Sequence, residues 1–191
     1  MKRSAALLII VLAFLLSAGC GGGFKKIRNP KYPDSSLVYG HFDISDAPGP
    51  LTYVDIRQIR PVQKKIRGWI NGTYITKEAH YFNNTVRPGS YVLSAFGTIK
   101  SGFGGTSIYS YPLPNYGEEA IAFRATDKPK LIFLGSYKYV KGEKGKWFTP
   151  STFDIRRVKK PTEKEVLADL LLLAKGTKWE QLIMDRIKEL K

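Results

Sequence analysis

The sequence predicts a mainly β protein: an antiparallel β-sandwich followed by a C-terminal α-helical pair. Three observations carry this. The chain is rich in Tyr and Phe, with 11 and 10 of its 191 residues, and Gly and Pro punctuate its middle, a composition that favours strands and turns over a bundle. Its central runs are short and alternate apolar with polar side chains. Its last thirty residues change to helical spacing behind capping residues.

The chain begins MKRSAALLIIVLAFLLSAGC. Lys2 and Arg3 are a cationic lead, Ala5 to Leu16 is an unbroken apolar run of 12 residues, and Ser17, Ala18 and Gly19 are small residues before the only cysteine, Cys20. This is the pattern of an export signal. The run is too short for a membrane-spanning helix, which needs about 20 apolar residues. Ordinary secretion with cleavage at Ala18 or Gly19 is a competing reading, but it leaves a lone free thiol in an oxidising compartment. Leu16-Ser17-Ala18-Gly19-Cys20 resembles the lipobox of bacterial lipoproteins. That resemblance implies cleavage before Cys20, a thioether-linked diacylglycerol on its sulfur and an acyl chain such as palmitate on its amine. With the change to strand patterning at Ser36 and to helical spacing in the tail, the chain divides into a signal peptide over 1–19, an acylated flexible basic tether over 20–35, the sandwich over 36–160 and a helix-turn-helix appendage over 161–191. Gly21 after the acylated cysteine, where retained lipoproteins carry aspartate, implies the outer membrane facing the periplasm.

In the tether, Gly21 to Gly23 is a flexible run, and Lys25, Lys26, Arg28 and Lys31 make a basic collar interrupted by Pro30 and Pro33. Such a collar gains about 1 kcal/mol per residue near an anionic surface. Leu37 to Ile44 reads as a first strand, closed by the turn cluster Ser45 to Pro50. Leu51 to Arg60 is a second, with Val54 and Ile56 on its dry side and Tyr53, Asp55 and Arg57 on its wet side. Pro61 stops it, and Gln63 to Arg67 is a basic connection. Strand character returns at Gly72 to Thr76, His80 to Phe82 and Val86 to Phe96, the last interrupted by a Pro88-Gly89 turn. Gly102 to Gly105 is a hairpin loop before the strand Ser107 to Tyr111. Glu119 to Phe123, Leu131 to Val140 and Thr152 to Val158 are further strands. Leu131 to Leu134, apolar on both faces, reads as central. Lys141 to Lys146 is a charged hairpin tip.

In the tail, Thr162 and Glu165 form a capping box ahead of Val166, Leu167, Leu170, Leu171 and Ala174, and Gly176 ends the helix. Thr177 and Glu180 repeat the spacing ahead of Trp179, Leu182, Ile183, Ile187 and Leu190. The expected role of these apolar stripes is packing on the sandwich or on each other; the alternative is docking of a partner or a membrane surface, since Leu170 to Leu173 exceeds a narrow stripe.

The motif Arg87-Pro88-Gly89-Ser90-Tyr91-x-Leu93, with the aromatic strand before it, resembles the prealbumin-like and carboxypeptidase-regulatory-like β-sandwiches of envelope proteins. That resemblance covers about sixty residues and implies a scaffold or accessory module, without bringing a catalytic residue.

Net charge is +15, and +13 once Lys2 and Arg3 leave with the signal. This favours anionic surfaces as partners: lipid head groups or envelope polymer. Export argues against nucleic acid, although the basic and aromatic sets Lys64, Lys65, Arg67, Trp69 and Tyr137, Lys138, Tyr139 have the composition of a stacking surface. These seven are the candidate ligand contacts.

With Cys20 committed to lipid, neither a disulfide within the chain nor cysteine chemistry remains. The glycines at 102–105 lack the Lys-Ser/Thr pair of a phosphate loop, and Gly-x-Ser-x-Gly is absent. His41 with Asp43, and Glu78 with His80, are two-ligand edges, short of the three or four donors a metal needs. No cofactor or metal is implied. Asp46 or Glu118-Glu119 as hydrolytic carboxylates is the least favoured reading. Asn71 and Asn83 head glycosylation sequons that a bacterial address makes accidental. The expected function is a non-enzymatic, lipid-anchored envelope scaffold that meets other envelope proteins. The alternative is a binding module for an anionic envelope glycan.

Overall fold

The computed structural model describes residues 26–30, 32–61, 73–103, 105–143 and 152–190. Its strands are β1 (Ser36–Asp43), β2 (Leu51–Arg60), β3 (Tyr74–Ile75), β4 (His80–Val86), β5 (Gly89–Gly102), β6 (Gly105–Pro112), β7 (Ala122–Ala125), β8 (Leu131–Lys141) and β9 (Phe153–Val158). Two helices follow, α1 (Glu163–Ala174) and α2 (Lys178–Glu189). One sheet has the order β3-β4-β1-β8-β9, the other β2-β5-β6, with β7 beside the first part of β5.

The fold is thus mainly β, sandwich-like, with two C-terminal helices. It departs from a purely antiparallel sandwich at one place: β1 and β8 run parallel. The segment between them is long enough to build the whole second sheet before the chain returns, and parallel neighbours require such a crossover.

The sheets face each other over an aromatic core. Phe96 of β5 stacks on Phe42 of β1 at 4.6 Å and on Tyr111 of β6 at 4.8 Å between ring centres. Val54, Ile56, Leu93, Tyr81, Tyr137 and Tyr139 complete it. Val54 and Ile56 take the dry side of β2, as their alternation requires.

The five-stranded sheet has a second buried face. Leu37 and Tyr39 of β1, Phe82 of β4, and Val166, Leu167, Leu170, Ala174, Trp179 and Ile183 of the helices form a separate cluster. The helical stripes therefore pack on the sheet, making the layers sheet, sheet, helix. This explains Leu131 to Leu134: Ile132 and Leu134 join the first core while Leu131 and Phe133 pack against the second. At Gly135 the φ angle is +112° and the β1 register slips between Tyr39 and His41. One extra residue there reverses which side of β8 is which, so Tyr137 and Tyr139, odd-numbered, face the same core as Ile132 and Leu134. A Cβ on Gly40, opposite, would run into the ring of Tyr81.

Three local expectations change. Residues 119–121 are not strand: Ala120 N–H bonds Gly117 O at 3.3 Å in a turn set by Gly117 at φ +86°, and β7 starts at Ala122. At Thr162 the capping box forms fully, but at Thr177 it does not. There the Thr177 hydroxyl accepts from Trp179 N–H, while the Glu180 carboxylate accepts from Gly176 N–H at 2.7 Å. The tether, expected to be flexible over 20–35, is docked in its described part: Ile27 is 1% exposed and its N–H bonds Leu173 O at 2.9 Å.

Candidate functional site

Three constellations join elements distant in sequence, and all lie on the helical side of the five-stranded sheet. In the first, the tether meets the fold. Arg28 O accepts from Trp179 Nε1–H at 3.2 Å and from the Asn84 side-chain amide at 2.6 Å, so α2 and β4 hold one backbone carbonyl between them. Asn29 Oδ1 accepts from Lys178 N–H at 2.8 Å, satisfying a first-turn amide of α2 from outside the helix. With Ile27 buried in the cluster of Trp179 and Leu170, the described N-terminal segment is part of the core.

The second is a polar chain. His41 and His80 face each other across β1 and β4, with Nδ1 to Nδ1 at 3.1 Å, and His80 Nε2 reaches Asp169 Oδ2 of α1 at 2.8 Å. With Asp169 ionised, the chain closes when His80 carries its proton on Nε2 and His41 carries one on Nδ1. His80 is 3% exposed, and Asp169 is half-exposed. Burial, and then the neighbouring charge of His80, push the His41 imidazole down to about 4. The arrangement can store and move one proton between sheet and helix. Among the described residues no three His, Cys, Asp or Glu side chains are grouped to hold a metal ion.

A third clasp holds the start of α1. Tyr39 OH donates to Glu163 Oε1 at 2.8 Å, and Arg186 of α2 grips both Glu163 oxygens at 2.9 and 3.2 Å. Bidentate pairing of this kind fixes both helices to the sheet.

Of the seven expected ligand contacts, Lys64, Lys65, Arg67 and Trp69 lie outside the described residues, as does Cys20. The other three do not make a ligand surface. Tyr137 and Tyr139 are 8% and 5% exposed, packed between the sheets, because strand periodicity sends both inward. Lys138 points the other way and is held by Asp46 at 3.3 Å and Asp43 at 3.7 Å. The basic side chains that border a concavity are different ones. Arg60 and Arg124 line a cleft of about 580 Å³ with Pro88, Ser90 and Asp127. It forms where β7 pairs with the beginning of β5. Glu118 and Glu119 border another cleft of about 410 Å³ with Arg157, between the open ends of the sheets.

Sequence reasoning reached His41 and His80 but paired each with a near neighbour. The partner of His80, Asp169, lies 89 residues away, and no local spacing carries that signal. Compared with family models, curated proteins and solved structures, the chain matches none.

Proposed function

We propose that the protein is a lipid-anchored component of the bacterial cell envelope that acts as a non-catalytic scaffold, held close to the bilayer by acylated Cys20. One observation carries the reading. Ile27, Arg28 and Asn29 are stitched to Leu173, Trp179, Asn84 and Lys178, and Cys20 lies seven residues before Ile27. At about 3.5 Å per extended residue, the folded body then stands no more than about 25 Å from the lipid attachment point. Such a short leash suits a part that works against the membrane surface. The lipobox resemblance and the outer-membrane, periplasm-facing address belong to the same reading. So does the prealbumin-like type of sandwich, supported by the shared aromatic core and by the turn at Pro88 that leads into β5.

The test is replacement of the thiol. The native chain is expected to take up labelled palmitate and to sediment with membranes, while Cys20→Ser takes up none and is recovered in the soluble envelope fraction. A Cys20→Ser chain that stays wholly with membranes overturns the anchor.

A second reading is favoured by the cleft between Arg60 and Arg124: a module that binds an anionic envelope glycan. It predicts that Arg60→Ser with Arg124→Ser weakens retention on an immobilised anionic polysaccharide by about tenfold, roughly the loss of one to two charge-assisted contacts. Unchanged retention of the double variant sinks it.

A further inference from the structure

The sheet edges of this protein are unequal. β9 presents Asp154, Arg156 and Arg157 along its length, β2 carries Asp55, Arg57 and Arg60, β7 is four residues with Arg124, and β3 is two residues. Short or charged edges resist pairing with another chain. β6 has neither protection. It is eight residues long, pairs among the described residues with β5 alone, and the stretch Ser101–Pro112 holds no charged side chain in a chain of net charge +15. Among the described residues its other edge leaves a row of backbone N–H and C=O groups without strand partners, and Phe103 at the hairpin tip is fully exposed.

The same strand is complementary to itself. Thr106, Ile108 and Ser110 alternate on one face. On that face Ile108, 68% exposed, pairs in register with Ile99 of β5. We propose that β6 adds antiparallel to β6 of a second copy of this chain, about a two-fold axis at Ile108. Thr106 then stands opposite Ser110, Ser107 opposite Tyr109, and Ile108 opposite its own counterpart. The pair of exposed Ile108 and half-buried Ile99 becomes a continuous row of four isoleucines across two molecules. Cross-strand hydroxyl and aliphatic pairs of this kind stabilise a sheet.

Charge selects a second copy as the occupant. Two strongly cationic molecules repel at most contacts, and β6 lets them meet without apposing like charges. Within β5 and β6 the cations at the join are Lys100 of each molecule, at least three strand spacings apart, about 14 Å or more, which is beyond the screening length of about 8 Å at physiological salt. Confinement to one membrane would raise the effective concentration further. The pairing itself does not depend on the lipid.

The full-length chain in detergent, and its Cys20→Ser form in buffer, are compared by sedimentation equilibrium, so that failure of the anchor and failure of the dimer are told apart. Both are expected to be dimeric. Ile108→Lys is expected to weaken association at least about tenfold by placing like charges face to face on the axis, while leaving thermal unfolding unchanged. In the Cys20→Ser chain, Ile108→Cys is expected to form a disulfide-linked dimer on mild oxidation, and Leu172→Cys, equally exposed on α1, is not. A monomeric native chain, or cross-linking through residue 172 as fast as through 108, overturns the proposal. So does a chain that is monomeric alone and accepts only an extended segment of a different protein at β6.

Discussion

The two faces of the five-stranded sheet are both dry, yet they are held by different physics. Towards the second sheet the contacts are aromatic: Phe42, Phe96, Tyr111, Tyr139 and Phe153 form one network of stacked and edge-on rings. Towards the helices the filling is largely aliphatic, and its margins are ionic or ionisable: Glu163 with Arg186 and Tyr39, and Asp169 with His80 and His41. A face sealed by rings is indifferent to pH and salt. A face sealed by charges is conditional on both. The difference separates a permanent body from a helical layer whose attachment, together with that of the tether, responds to conditions.

The sharpest way to break the comparison is to cut one large side chain from each face. Phe96→Ala removes the ring shared by both sheets and is expected to cost about 4 kcal/mol of unfolding free energy in urea. Trp179→Ala is expected to cost about 3 kcal/mol, within the same range for buried aromatic truncation, and to leave Arg28 O without its indole donor. The two are told apart by hydrogen exchange. Phe96→Ala should lower protection throughout both sheets, whereas Trp179→Ala should release α1, α2 and residues 27–29 while the amides of β5 stay protected. Equal loss of protection everywhere in Trp179→Ala would mean that the helices are not a separable layer.

Much of the aromatic face was legible in the sequence, because it is written in local alternation. Val54 and Ile56 against Tyr53 and Asp55, and the two-sided run Leu131 to Leu134, found their expected sides. The helices were legible through Thr162, Glu165 and Gly176. What escaped depends on contacts far apart in the chain. The parallel β1–β8 pairing has no local mark, since strand residues look alike whichever way the neighbour runs. Tyr137 and Tyr139 looked available to a ligand because composition shows which side chains are aromatic and not which way a strand turns them. The reversal at Gly135 needed the backbone. Ile27, one apolar residue among basic ones and prolines, gave too little periodicity to be read as core.

The smaller test sharpens the comparison through pH. His41 is held neutral in the folded chain, with its imidazole pushed down to about 4 by burial first and by the charge of His80 second, against an ordinary value near 6.5. Between pH 6.5 and 4 the unfolded chain therefore binds more protons than the folded one. Folding stability from this group is complete above pH 6.5, declines as pH falls through the window, and levels off below about 4. Because His41 is only half-buried, solvent screening reduces the loss to about 1–2 kcal/mol. The groups facing the pair are Asp43 on β1, whose charge favours a protonated His41, the backbone of Glu78 before β4, which hydrogen-bonds it, and the Asp169 carboxylate of α1 against His80; the first two temper the acid loss without reversing it. Urea unfolding at pH 7 and pH 4.5 is expected to show this loss in the native chain and its near disappearance in His41→Gln. Asp169→Asn removes the carboxylate that accepts from His80 Nε2–H and should steepen the loss instead. The decisive readout is where the loss falls. Protection of α1 amides should decrease at pH 4.5 while β5 and β6 remain unchanged, because Asp169 is carried by the helix and the ring network carries no proton in that range. A uniform loss across both sheets would show that the His41–His80–Asp169 chain does not set the hold of the helical layer.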